Sequence, residues 1–189
     1  DESGQIDISL PFLGEHFVGL ALAAAAVGKV SGLSLEEIKR GLESVAPQPH
    51  RLVPIRLKDG SLVLDDTYNA NPLAVVEALN VLSQVGRGRR KIFVFGEMKE
   101  LGQYEEKGHK EVGREIVRTK VDYLFTLGEL TRHTIDEATR RGLPKSHTFL
   151  ATDKDELLAK IMETKRRGDT ILIKGSRSLA MEELVEKLR

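Results

Sequence analysis

The chain has 189 residues, no cysteine, and 29 basic against 29 acidic side chains, for a formal net charge of zero. Disulfide scaffolds and thiolate metal sites are therefore excluded, and the even balance argues against nucleic-acid binding, which needs an excess of clustered Lys and Arg. At 40% hydrophobic and 31% charged the composition is globular, and this length buries roughly 70% of the unfolded surface, enough for one core, or for one domain and part of another.

The first apolar stretch, Phe17 to Val27, is 11 residues and mostly alanine, well short of the ~20 needed to span a bilayer, so it reads as a buried helix. The opening Asp1-Glu2-Ser3-Gly4 lacks the basic segment of a secretory signal. The helix is expected to end near Gly28 to Gly32. A second one opens with a capping box, Ser34 to Glu37, and carries Leu35, Ile38 and Leu42 on one face. Ala46-Pro47-Gln48-Pro49-His50 cannot continue a helix, which places a boundary between residues 1–46 and residues 47–189.

Beyond the boundary, Leu52 to Leu57 and Ser61 to Leu64 read as paired strands joined by Lys58-Asp59-Gly60, with Pro54 confining the first to an edge. Four short apolar runs follow, Ile92 to Phe95, Tyr123 to Leu127, Thr148 to Leu150 and Thr170 to Ile173. Between them apolar residues recur at helical spacing, as in Val75, Val76, Leu79 and Leu82, or Val112, Ile116 and Val117. Continuously apolar strands alternating with helices predict an α/β fold, a three-layer Rossmann-like mainly parallel sheet covered on both faces. The basic run Arg87-Gly88-Arg89-Arg90-Lys91 reads as a solvated turn between helix and strand.

Ligands of open parallel sheets sit beyond the carboxyl ends of the strands. The segments there are Asp65 to Pro72, Gly96 to Gly102, Gly128-Glu129 and Lys174 to Ser178, all polar or glycine-rich. Asn71-Pro72 fits a helix N-cap and first helical position. For Asp66, ligand contact and local capping are both open. Lys174-Gly175-Ser176-Arg177 fits either an anion cradle, with a helix starting after Ser178, or an ordinary capped turn. No phosphate loop, dinucleotide fingerprint or hydrolase elbow occurs. The five histidines have no metal-ligand spacing and read mostly as surface residues. No catalytic side chain and no metal ligand is assigned.

Leu64 to Pro72, with Tyr68-Asn69-Ala70-Asn71, then Gly96-Glu97-Met98-Lys99-Glu100-Leu101-Gly102, then Lys174 to Glu182, resemble in order and spacing the C-terminal domain of the Mur ligases, with a weaker extension upstream through Gly14-Glu15-His16. The resemblance implies an ATP-dependent amide ligase of cytoplasmic peptidoglycan synthesis. In the matching branch of the family, D-alanyl-D-alanine is joined to UDP-N-acetylmuramoyl-tripeptide. It further implies that residues 1–46 are the helical end of a central ATPase domain, whose phosphate loop and Mg2+ ligands lie upstream, and that residues 47–189 are the C-terminal domain. Carried over by position, Arg51, Asp66 and His16 are implied to hold ATP, with Asp66 on the ribose hydroxyls. Ser176 and Arg177 are implied to hold the incoming amino-acid substrate, with Asn69 and Asn71 at the facing edge of the same cleft. The family usually has Asn directly after the histidine and again three residues later as an adenine contact, where this chain has Phe17 and Leu20. No nucleic-acid partner and no membrane insertion is expected. The other readings are a related Mur or folylpolyglutamate-type ligase, or a non-catalytic nucleotide- or peptide-binding module.

Overall fold

The computed structural model describes residues 4–189. By their contacts these divide into two compact units, one ending at Gln48 and one running from Pro49 to Arg189.

The first unit contains α1 (His16–Val30) and α2 (Leu35–Glu43). The capping box that opens α2 is formed: the Ser34 hydroxyl accepts from Glu37 N–H, and the Glu37 carboxylate accepts from Ser34 N–H at 2.8 Å. Helix α1 is alanine-rich and apolar around its circumference. Such a helix is ordinarily buried on every side, yet none of its residues is buried here, and Val18, Leu20, Leu22, Val27 and Val30 are exposed.

The second unit is a six-stranded sheet: β1 (Val53–Arg56), β2 (Leu62–Asp66), β3 (Lys91–Gly96), β4 (Tyr123–Leu127), β5 (Thr148–Ala151) and β6 (Thr170–Lys174). Its order is β1-β2-β6-β3-β4-β5, with β1 antiparallel at the edge and all other pairs parallel. Pro54 therefore sits where an unpaired backbone edge tolerates it. Helices α3 (Pro72–Val85), α4 (Glu105–Arg118) and α5 (Arg132–Arg140) connect β2 through β5 in one direction across the sheet, and α6 (Lys154–Thr164) returns to β6 before α7 (Glu182–Leu188) closes the chain. Right-handed crossovers put helices running in opposite directions on opposite faces, and α3, α4 and α5 pack on one another while α6 lies on β4 and β5.

Side chains alternate between the faces along each strand. Val63, Ile92, Val94, Phe125, Ile171 and Ile173 pack with Leu157, Ile161, Leu184, Val185 and Leu188 of α6 and α7. The alternate residues Leu64, Phe93, Phe95, Leu124 and Leu172 are equally buried on the other face. Both faces being covered explains why these strands read as continuous apolar runs.

Candidate functional site

Strand β6 lies between β2 and β3, although it is last in sequence. The segments after β2, β3 and β6 are thereby brought side by side at the carboxyl end of the sheet.

The β2–β6 register places Asp66 directly beside Lys174. Each is the last residue of its strand, and Lys174 is 1% exposed, Asp66 5%. Lys174 Nζ donates to Asp66 Oδ2 at 2.5 Å and to the Asn69 carbonyl at 2.9 Å. Asp66 Oδ1 accepts from Leu52 N–H at 3.2 Å. Burial pushes the Asp66 carboxyl up and the Lys174 amine down, and the attraction between them opposes both shifts. Asp66 is thus no helix cap: Asn71 fills that role for α3, accepting from Ala74 N–H at 2.9 Å ahead of Pro72.

The neighbouring Asp65 is also buried, and its Oδ2 lies 2.8 Å from His50 Nδ1 while Oδ1 accepts the Thr67 hydroxyl at 2.7 Å. Arg51 lies between two residues in left-handed backbone, His50 at φ 60° and Leu52 at φ 53°. For Leu52 this conformation is costly, and such strain persists only where surrounding bonds enforce it. Here Asp65 holds His50 and Asp66 holds Leu52, so the two carboxylates at the end of β2 fix the arch that carries Arg51. The Arg51 guanidinium sits over the Tyr68 ring, 4.1 Å from its centroid, and both residues are exposed.

The loops after β3 and β6 touch through glycine. A Cβ on Gly175 would come within 3.0 Å of the Gly96 Cα and 2.9 Å of the Met181 side chain, so only glycine fits at this contact. Glu97 O accepts from Ser176 N–H at 3.3 Å, and the Ser176 hydroxyl accepts from Lys99 N–H at 2.7 Å. Ser176 is buried. Glu97 pairs with Lys99 and accepts from Leu130 N–H at 3.1 Å, which ties in the loop after β4. Below this loop lies His109 of α4, fully buried, with Nε2 3.1 Å from Met98 N and Nδ1 2.8 Å from the Glu105 carbonyl. These partners require a neutral ring protonated at Nδ1, and burial holds its pKa below the ordinary value.

Arg177 is exposed and pairs with Glu182 at 2.7 Å. The helix expected just after Ser178 begins later: Arg177–Leu179 form one 3-10 turn, Ala180 is left-handed at φ 46°, and α7 starts at Glu182. The left-handed residue breaks the helical path and carries the chain back onto the sheet, where Met181 is fully buried. Beside this segment an open cleft of about 590 Å³ lies over the ends of β4 and β5, lined in part by Gly128, Glu129, Arg132, Asp153 and Ser178.

The second unit thus brings Arg51, Asp66, Asn69, Asn71, Ser176 and Arg177 to one end of one sheet. Asn69 is exposed and its side chain closes its own turn on Ala70 N–H at 2.9 Å. His16 belongs to the first unit, where it opens α1 with its ring 4.3 Å from that of Phe17. Two further residues belong to the site's frame. Lys174 is the buried counter-charge of Asp66, and a lysine directly after the apolar run Ile171 to Ile173 was the signal for a buried partner. His109 corrects the reading of the histidines as mostly surface residues; it shares the helical face of Val112 and Ile116, which is the face the sheet covers. Among the described residues no group of three His, Asp or Glu side chains is placed to hold a metal, and no helix is long and apolar enough to cross a membrane.

Residues 50–177 match the model of the glutamate ligase domain of the Mur ligases. The whole chain is similar to UDP-N-acetylmuramoyl-tripeptide--D-alanyl-D-alanine ligase of Escherichia coli, at 38% identity over 99% of this chain and 40% of that protein. It is similar to the Bacillus subtilis protein of the same name at 35% identity, over 95% of this chain and 39% of the relative. The crystal structure of MurF from Acinetobacter baumannii superposes with a TM-score of 0.82 at 32% identity, covering 96% of this chain and 39% of that one. The chain therefore spans about two fifths of the length of the relatives it matches.

Proposed function

The chain belongs to the Mur ligase family, and we propose that it is the C-terminal part of a cytoplasmic, ATP-dependent amide ligase that joins D-alanyl-D-alanine to UDP-N-acetylmuramoyl-tripeptide in peptidoglycan synthesis. The observation that carries this reading is the likeness to ligases of that name through both units, together with a polar corner at the carboxyl end of the sheet. In this reading residues 1–46 end a central ATPase domain. The bare apolar surface of α1 supports that, because a helix apolar on all sides calls for more core than α2 supplies.

The reaction needs an acyl phosphate, formed when ATP phosphorylates the tripeptide carboxylate, and a neutral amine to attack it. The resulting tetrahedral adduct collapses to amide and inorganic phosphate. An α-amino group with a pKa near 8 is partly neutral at neutral pH. The phosphate-binding loop and Mg2+ ligands belong, in this proposal, to the upstream part, where Mg2+ offsets phosphate charge. This chain contributes positioning, which is worth several kcal/mol when it fixes the reacting groups. Asp66 uses one acceptor site on each oxygen, for Lys174 and Leu52, and a carboxylate has about four, so it can still accept from ribose hydroxyls. Arg51 offers an exposed guanidinium beside it, and His16 is assigned to the nucleotide as well. Ser176 and Arg177 are assigned to the dipeptide, with Asn69 and Asn71 at the facing edge.

The test is a reaction of the full-length protein with ATP, Mg2+, UDP-N-acetylmuramoyl-tripeptide and D-alanyl-D-alanine, followed by mass spectrometry of the product and a phosphate assay. Stoichiometric pentapeptide product and phosphate are expected. Product with glutamate or another amino acid in preference to the dipeptide would assign the chain to a different ligase of the family. Absence of any ATP-dependent product would leave a binding module.

A further inference from the structure

The amino end of the sheet carries a second feature, unrelated to the ligase chemistry and independent of that reading. Three turns meet there, residues 56–61 ahead of β2, 86–90 ahead of β3 and 164–169 ahead of β6. These three strands are neighbours in the order β2-β6-β3, and adjacent strands lie ~4.8 Å apart, so the strand starts fall within about 10 Å. Bonds link the turns directly: Ser61 Oγ donates to the Arg166 carbonyl at 3.1 Å, Leu62 N–H to the Asp169 carbonyl at 2.8 Å, and Thr170 N–H to the Arg90 carbonyl at 2.9 Å.

The three turns hold eight basic and two acidic residues, a charge of +6 in a chain whose net charge is zero. Both acids are already committed. Asp59 is bonded to Lys165, and Asp169 is buried under Arg90, whose Nη2 lies 2.7 Å away. Arg56, Lys58, Arg87, Arg89, Arg166 and Arg167 are all exposed, and none has an ion-pair partner among the described residues. Elsewhere many surface cations are matched, Lys110 with Glu106, Arg118 with Glu115, Arg132 with Glu129, Arg140 and Arg141 with Glu137, Lys187 with Asp155, and the unmatched ones, such as Lys29, Lys107, Lys120 and Lys145, are scattered along the chain. Only at the amino end of the sheet do six exposed cations without ion pairs gather on three adjacent turns.

We propose that this end is a docking surface for an anionic lipid bilayer, reached peripherally and without insertion. The turns contain no aromatic residue and no Asn or Gln, so they lack the platforms on which single strands stack and the amides that read adenine. What they offer is a set of long cationic side chains on three short turns at one end of a rigid sheet, which suits a planar array of phosphates. A basic residue near an anionic bilayer contributes about 1 kcal/mol, roughly a fivefold gain in partitioning per residue, and the attraction falls off within a Debye length.

The experiment is co-sedimentation of the full-length protein with large unilamellar vesicles of phosphatidylcholine containing 30 mol% phosphatidylglycerol or none, at low and high salt. Binding to the anionic vesicles alone, reversed by 0.5 M NaCl, is expected. The variant Arg87→Ser/Arg89→Ser/Arg166→Ser/Arg167→Ser should bind at least a hundredfold more weakly. A control removing four matched cations, Lys110→Ser/Arg118→Ser/Arg132→Ser/Arg140→Ser, should fall far less. The four patch side chains make no hydrogen bond among the described residues, so circular dichroism and thermal melts of that variant should match the unmodified protein; should it fail to fold, Arg56→Ser/Lys58→Ser supplies the same test at roughly twenty-five-fold. No binding of the unmodified protein to anionic vesicles at low salt would overturn the proposal. Equal losses in patch and control variants would do the same, as would retention on RNA or heparin by a protein that ignores vesicles.

Discussion

The two ends of the sheet treat charge in opposite ways. At the carboxyl end Asp65, Asp66 and Lys174 are buried, each held by two or more named bonds, and glycines let loops touch backbone to backbone. At the amino end Arg56, Arg87, Arg89, Arg166 and Arg167 stand in water without ion-pair partners among the described residues. Buried ions are costly to desolvate and are kept in place by geometry, so changing one disturbs many bonds. Exposed unmatched ions repel one another only weakly through water and act over about a Debye length. A rigid, over-determined end suits the positioning of reacting groups, whereas a soft, charged end suits encounter with a surface.

The sharpest way to break this contrast is to remove one member of the buried pair. Lys174→Met should destabilise the second unit by about 3–5 kcal/mol, because Asp66 would be left buried and uncompensated. The double variant Asp66→Asn/Lys174→Met should recover most of that loss. Denaturant titration of all three proteins decides it, and a single variant as stable as the parent would show that the pair is solvated. Asp66→Ala strands Lys174 in the same way, so it should lower stability as well as the nucleotide affinity proposed to depend on Asp66.

A steric change at the same end comes next. Gly175→Ala brings a methyl group to 2.9 Å from Met181 Cγ and 3.0 Å from the Gly96 Cα, so side chain or backbone must shift. A loss of about 1–3 kcal/mol is expected, as for other overpacked sites. Serine at Arg87, Arg89, Arg166 and Arg167 should together move the unfolding midpoint hardly at all, since surface changes away from special contacts stay within about 0.5 kcal/mol each.

Why the first pair escaped the sequence reading and the strands did not is a matter of range. Apolar runs report burial locally, so β3, β4 and β6 were legible to within a residue or two, as were the capping box of α2 and the N-cap of α3, while apolar spacing located α3 and α4 without fixing their ends and α5 gave no named pattern. The insertion of β6 between β2 and β3 is set by packing of the whole chain, and no local pattern reports it. Asp66 and Lys174 are 108 residues apart, and so the pair could be read only once the order was known. The same holds for the amino-end turns: Arg87 to Lys91 alone is an ordinary solvated turn, and its meaning changes when Arg166 and Arg167 arrive beside it. The late start of α7 was missed because Ala180 adopts a left-handed backbone that nothing in its side chain announces.

A subtler probe of the rigid end is His109. With its pKa held below the ordinary 6.5, mainly by burial and against the pull of the Glu105 carbonyl and Glu97, the folded protein keeps this ring neutral while the unfolded chain protonates it. Its contribution to stability is therefore complete above pH 6.5 and is lost as pH falls through the native pKa. His133 adds a like-charge effect of the same sign. Gln at 109 retains an acceptor for Met98 N–H and cannot titrate, so His109→Gln should flatten the stability profile below pH 6.5. His109→Leu strands that buried N–H and should cost about 1–3 kcal/mol at every pH. Identical pH profiles for the parent and the Gln variant would remove His109 from the titration.

The smallest expected effect concerns Arg177, which stands between the two regimes: it adjoins the buried Ser176 yet is itself exposed and paired with Glu182. As a surface pair it is worth about 0 to 1 kcal/mol, and lysine would serve nearly as well, so Arg177→Lys should not shift thermal stability measurably. The substrate assignment adds a second requirement. A guanidinium that must take up a dipeptide carboxylate has to leave Glu182 first, and lysine lacks the planar fork that makes the exchange favourable. In the full-length enzyme Arg177→Lys should then raise the D-alanyl-D-alanine KM, by up to about tenfold, with the ATP KM unchanged. Glu182→Gln, which weakens the competing pair, should lower the same KM. Opposite movements from the two variants are what a residue shared between a surface partner and a substrate must give; if neither variant moves the dipeptide KM, Arg177 belongs to the surface alone.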